Sequence, residues 1–132
     1  MNREVTETDL KLYRTAVSML ERSYSPFSGF RVGAALLTKS GEIITGVNIE
    51  NSSLGATICA ERTAFVKAIS EGYREFDTIA IASSGQEAWP CGICRQFMYE
   101  FAPDLRVVTG LSEDSLRVLT LKELLPEGFR LQ

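Results

Sequence analysis

The chain's 132 residues suffice for one domain around a single core and are too few for two. With 45% hydrophobic and 23% charged residues it has an ordinary globular composition, and no run approaches the length of a membrane span. A formal net charge of −3 provides no basic track for a polynucleotide, so a small-molecule substrate is expected rather than nucleic acid or a membrane.

Leu10, Tyr13, Ala16, Val17 and Leu20 recur at helical spacing and predict a helix over 8–22, with Thr6 and Asp9 as a capping pair before it. Residues 23–29 (Ser-Tyr-Ser-Pro-Phe-Ser-Gly) are turn formers. Strands are expected at 30–38 and 42–49, around a hairpin turn at Lys39-Ser40-Gly41. A second helix is expected at 59–71, ending near Gly72. An apolar strand follows at 77–83, then a helix at 91–101 stopped by Pro103. Short strands at 106–109 and 116–121 precede a helical turn at 122–125. There is no internal repeat or linker, so residues 1–132 read as a single domain. Strands alternating with helices predict an α/β fold with a helix-covered, partly parallel sheet.

All three cysteines fall in two short motifs, Cys59-Ala60-Glu61 and Pro90-Cys91-Gly92-Ile93-Cys94, and the chain has no histidine. A tight transition-metal site must then be built from thiolates. A Cys-x-x-Cys pair by itself also suits redox chemistry, and a lone buried cysteine is a common small apolar residue. A closed structural zinc site normally takes four protein ligands, and no fourth is present. Three thiolates with one open position suit a catalytic Zn2+ better. Both motifs fall at helix beginnings, where unpaired amides and the positive dipole end favour thiolates. Cys91 and Cys94, three apart, share a helical face, while Cys59 arrives from another helix.

Glu61 either complements its helix dipole or performs general acid/base work beside the metal. Arg62 is either a surface arginine or a donor to the ligand sulfurs, and the all-thiolate ligand set favours the donor role. Arg95 reads as structural. The odd cysteine count, metal-like spacing and a polar, acidic N-terminus unlike a signal peptide predict a reducing, cytoplasmic setting.

Beyond the cysteine motifs, Tyr24-Ser25-Pro26-Phe27-Ser28 and Phe30-Arg31-Val32-Gly33-Ala34-Ala35-Leu36 resemble the N-terminal signature of cytidine deaminases. Gly46-Val47-Asn48-Ile49-Glu50-Asn51 resembles their ribose-binding strand. Cys59-Ala60-Glu61-Arg62-Thr63-Ala64 and Pro90-Cys91-Gly92-Ile93-Cys94-Arg95-Gln96 are similar to their two zinc motifs, and Glu123-Leu124-Leu125-Pro126 to their C-terminal segment. The resemblance runs in order from about residue 10 to 129.

It implies a three-layer α/β/α sandwich with a five-stranded mixed sheet, and a homotetramer whose active sites are shared between subunits. The implied activity is zinc-dependent deamination of cytidine and deoxycytidine to uridine and deoxyuridine, a step of pyrimidine salvage. Carried onto this sequence, Cys59, Cys91 and Cys94 hold one Zn2+ per subunit and Glu61 moves protons. Asn48 and Glu50 bind the ribose, and the Ala60 amide binds the pyrimidine 2-carbonyl. Phe30 stacks on the base, unless it is an ordinary core aromatic, and Phe129 reaches a neighbour's site. Leu54 stands where relatives commonly carry tyrosine, and Trp89 where they often carry serine. A deaminase for a modified cytosine nucleoside such as blasticidin S, and a non-enzymatic zinc-binding protein, are the competing readings.

Overall fold

Apolar runs such as Ala34-Ala35-Leu36 and Ile79-Ala80-Ile81-Ala82 require a sheet buried on both faces. A computed structural model, which describes residues 4–131, has that arrangement. The elements in chain order are α1 (Glu7–Ser18), β1 (Val32–Thr38), β2 (Ile43–Val47), α2 (Ala60–Ser70), β3 (Phe76–Ser83), α3 (Gly92–Tyr99), β4 (Arg106–Thr109), β5 (Arg117–Thr120) and α4 (Leu121–Leu124). The strands form one sheet in the order β2-β1-β3-β4-β5. β3 and β4 are parallel and joined through α3, and the remaining pairs are antiparallel. The expected α/β fold with a five-stranded mixed sheet is the one observed. Among the described residues, no helix is long and apolar enough to cross a membrane.

Alternation along the strands divides the core in two. Leu36, Ile79, Ile81 and Val107 pack with Phe65 of α2 and Met98 of α3. Ala35, Ala80, Ala82 and Val108 pack on the other face with Leu12, Tyr13 and Ala16 of α1. The alanine-rich face lets α1 approach closely: a Cβ at Gly33 would lie 2.2 Å from the Ala16 carbonyl oxygen. On the opposite face Phe65 and Phe76 have ring centroids 4.8 Å apart, with Phe97 and Phe101 beside them. A fully buried side chain of this size is worth about 1.5–3 kcal/mol.

Several boundaries differ from expectation for local reasons. The helix expected over 8–22 stops at Ser18 and tightens into a 3-10 turn at Leu20–Arg22. There the Thr15 and Ser18 hydroxyls donate to the Lys11 and Thr15 carbonyls, competing with the helical ladder. The strand expected over 42–49 ends at Val47, because Ile49 leaves the sheet to bridge Tyr24 and Ile58. Thr120 caps α4 reciprocally with Glu123, so Leu121 begins a helix and does not end a strand.

The N-terminal capping pair has a second role. The Asp9 carboxylate accepts from the Thr6 amide at 2.9 Å and, as a bidentate acceptor, from Arg106 of β4 at 2.7 and 2.8 Å. Its side chain is 1% exposed. Burial alone would push the Asp9 carboxyl up, but the Arg106 and Thr6 bonds outweigh it and hold the carboxyl below its usual range. A depressed folded-state pKa contributes stability above the unfolded value, about 3.9, that is lost as pH falls through the folded value. Asp9→Asn is therefore expected to destabilise by about 3 kcal/mol at neutral pH. In thermal melts at stepped pH, the gap between wild type and Asp9→Asn should shrink below about pH 4.

Candidate active site

Two helix N-termini meet at one end of the sheet. Cys59 is the N-cap of α2, and Cys91 is the N-cap of α3, where its sulfur accepts from the Cys94 amide at 3.5 Å. Cys94 lies buried in the first turn of α3. Their sulfurs all fall within 4.8 Å of one another, with Cys59 and Cys91 3.8 Å apart. The approach depends on Gly46 of β2, where a Cβ would lie 2.5 Å from the Ala60 carbonyl oxygen and 2.6 Å from the Ala64 nitrogen. Any side chain at position 46 would push the start of α2 off the sheet, and Cys59 with it.

The electrostatics suit a cation held by sulfur. The neighbouring Cys94 thiol, with Arg62 and Cys91, holds the Cys59 thiol well below its usual range against the cost of burial. Cys94, buried beside it, is raised by the closeness of Cys59 and by burial. Burial works against the Arg62 charge, but the Cys59 and Cys94 sulfurs outweigh it and hold the guanidinium above its usual range. Arg62 Nη2 donates to the Thr57 carbonyl at 3.1 Å and lies 4.0 Å from Cys59 Sγ, while its buried Nε lacks a partner among the described residues. A guanidinium short of acceptors beside three sulfurs fits a ligand set that becomes fully anionic on binding metal. Three thiolates without a fourth protein donor among the described residues fit Zn2+ with one position open.

Glu61, 4% exposed, sits in the first turn of α2. Burial, reinforced by the nearby Cys59 charge, raises its carboxyl to about 7 against smaller opposing effects of a backbone amide and Arg62. A carboxyl with that pKa can both take and give a proton at neutral pH.

Cys59, Ala60, Glu61 and Cys91 line a cavity of about 200 Å³, together with Phe30, Asn48, Glu50 and Trp89. A second cavity, of about 290 Å³, shares Glu50 and Thr57 with it and is bordered by Phe27, Ser28 and Leu54. The inner space is below the usual range of ligand sites, about 300–1,000 Å³, so it suits a ring whose substituent emerges into the outer one. A larger cavity of about 350 Å³ lies at the opposite end of the sheet, near Lys39, Asp77 and Asp104. It contains no thiol, and its Arg106 and Asp104 are engaged with Asp9 and Lys122.

The cavity brings together all the substrate-binding candidates except Phe129. That residue is 62% exposed, is absent from this lining, and accepts a hydrogen bond from Gln96 through its carbonyl. Asn48 is committed largely to the protein. Its Nδ2 donates to the Phe30 carbonyl at 2.8 Å, and its Oδ1 accepts from the Val32 amide at 3.0 Å and from the Ser23 hydroxyl. One amide hydrogen remains for a ligand. The Glu50 carboxylate accepts from the Phe27 and Ser28 amides at 2.8 and 3.2 Å and from the Ser28 hydroxyl. Ser28, first among these bonds, keeps the carboxyl below its usual range. In the sequence the serines of the 23–29 loop read only as turn formers. Their recurrence just before Phe30 was the available sign that the loop also fixes the two polar residues. Arg95, expected to be structural, donates to the Pro90 and Leu124 carbonyls at 2.7 Å each, tying α3 to α4.

The chain is similar to known proteins in sequence and in fold. The sequence model for the cytidine and deoxycytidylate deaminase zinc-binding region matches residues 6–111. The chain is 48% identical over 131 residues to a probable cytidine deaminase of Dictyostelium discoideum, covering 98% of this chain and 86% of that one. It is 48% identical over 120 residues to a cytidine deaminase of Halalkalibacterium halodurans, covering 89% and 91%. A crystal structure of cytidine deaminase from Burkholderia pseudomallei superposes with a TM-score of 0.85 at 42% identity, covering 94% of this chain and 99% of that one.

Elemental analysis of the purified protein is expected to find about one zinc per chain. Each of Cys59→Ala, Cys91→Ala and Cys94→Ala should lower that content to near zero and reduce Tm, because the metal joins two helices. Arg62→Gln should retain zinc but bind it about 10- to 100-fold more weakly in a chelator competition.

Proposed function

The chain belongs to the cytidine and deoxycytidylate deaminase family, and we propose that it hydrolyses cytidine and deoxycytidine to uridine and deoxyuridine, releasing ammonia in pyrimidine salvage. The observation that carries this reading is a cluster of three sulfurs, two of whose cysteines line a ring-sized cavity together with a buried carboxyl. Cys59, Cys91 and Cys94 would hold a zinc ion, which would supply a Lewis acid able to activate water at neutral pH.

The protein's own groups supply the remaining steps. Phe30 stacks on the pyrimidine, a contact worth roughly 1 kcal/mol. The Ala60 amide, at the start of α2, donates to the 2-carbonyl. This leaves the N3 edge of the ring towards Glu61. Glu61 takes a proton from the attacking water and delivers it to N3 as the new C4–O bond forms. The second proton of that water passes through the same carboxyl to the exocyclic nitrogen, the C4–N bond breaks, and ammonia leaves. Glu50, held by the Ser28 loop, and the free amide hydrogen of Asn48 receive the sugar hydroxyls.

Four copies of the chain complete the sites in this reading, with Phe129 closing a neighbour's cavity. Phe27, Leu54 and Phe129 are exposed apolar side chains, as such a contact requires. A reduced cytoplasmic setting suits the free thiols and the zinc. Burying Glu61 is costly for a protein that only holds metal, which favours an enzyme over a zinc-binding scaffold.

Loss of cytidine absorbance, with uridine and ammonia identified as products, tests the activity. Glu61→Gln is expected to keep its zinc and fold while losing turnover by about 10²-fold or more. Near-normal turnover in that variant would overturn the mechanism. Turnover of blasticidin S without turnover of cytidine would reassign the substrate.

A further inference from the structure

We propose that Trp89, held in place by Glu87 and Arg117, is the wall that decides which cytosine rings enter the cavity, excluding those substituted at C5. The proposal rests on the deaminase reading given above. Trp89 borders the cavity two residues before Cys91. Its indole Nε1 donates to Glu87 Oε1 at 2.6 Å, and Arg117 Nη1 donates to the same oxygen at 2.9 Å. The Arg117 guanidinium also lies over the indole, 5.3 Å from the ring centroid and within cation–π range. One carboxylate oxygen and one guanidinium thus engage both the edge and the face of the ring.

The exposed Arg117–Glu87 pair would contribute little by itself, its side chains being 58% and 24% exposed. Joined through the indole, the three groups select a single orientation for it. Arg117 comes from β5, whereas Trp89 and Glu87 lie on the segment that connects β3 to α3, so the sheet itself braces the wall. The same segment passes the Phe30 ring at Gly85, where a Cβ would lie 3.5 Å from Phe30 Cε1.

The choice of C5 follows from how a cytosine must sit. Its C4 lies at the sulfur cluster, its N3 faces Glu61 and its 2-carbonyl faces Ala60. The remaining neighbour of C4 is C5, and among the residues that line the cavity Ala88 and Trp89 are the ones that lead along the chain into Cys91; on this proposal they face C5. A braced indole cannot yield as a flexible side chain would, and one added methyl against such a wall is worth about 10- to 100-fold in discrimination.

Trp89 is the only tryptophan in the chain, so its emission reports the cavity directly. With zinc-loaded protein, uridine should change that emission saturably, and 5-methyluridine should require at least about tenfold higher concentration. In steady-state assays the kcat/KM ratio of cytidine to 5-methylcytidine should be at least about 10 and should fall towards 1 in Trp89→Ser. Arg117→Gln, an exposed change that leaves the core intact, should red-shift the emission of the free protein and narrow the gap between the two ligands. Equal titration by uridine and 5-methyluridine, or a ratio unchanged in Trp89→Ser, would overturn the proposal. An unaltered gap in Arg117→Gln would overturn the bracing. Failure of the deaminase reading appears separately, as zinc-loaded protein that does not turn over cytidine, and the emission titration still decides whether Trp89 is the wall.

Discussion

The site depends on the close seating of α2 on β2. Cys59 contributes a sulfur to the cluster only because Gly46 has no side chain to hold the helix away. That contact places one helix N-terminus, and α3 brings a second to within a few ångströms of it. Each N-terminus offers unpaired amides and a partial positive charge, so the two together favour anions at the point where three sulfurs meet. The Cys94 amide is already used in this way, bonding the Cys91 sulfur. Binding a metal there would join the two helices more firmly than the sulfur contact and side-chain packing between them.

Charge balance accounts for the residues around the cluster. Without histidine, every ligand is a potential anion. Arg62 provides the compensating charge from the same helix face as Cys59, three residues on. Glu61 meets the opposite circumstance: it is buried beside thiol sulfur with little to stabilise its charge, so its proton is held more tightly than in water. Two adjacent residues of one helical turn are therefore driven apart electrostatically, one towards permanent charge and one towards a proton that can move.

The sheet's asymmetry serves the site. Alanines on the α1 face permit tight packing and a buried Asp9–Arg106 pair that joins the first helix to the fourth strand. The branched and aromatic face supports α2 and α3, the helices that carry the cysteines. Beyond the end of β2, the chain leaves the sheet so that Asn48 and Glu50 are held by the loop that precedes β1. The polar residues of the cavity are thus positioned by loop backbone, and the sulfurs by helices.

The order and type of the main elements, the double-sided burial of the sheet, the three cysteines that could hold a metal and the acidic residue beside them were all legible in the amino-acid sequence. Apolar periodicity and ligand spacing are local properties, and the absence of histidine left only thiolates to hold a metal. Strand and helix ends were less legible, because hydroxyls such as those of Thr15 and Ser18 compete with the backbone in ways that residue type alone does not decide. Only the tertiary structure decided that Asn48 spends most of its hydrogen bonds on Phe30, Val32 and Ser23, that Asp9 is buried against Arg106, and that Arg117 lies over Trp89. These partners are distant in sequence, and each contact depends on how the strands are ordered in the sheet and where the loops cross its ends, which no local pattern encodes.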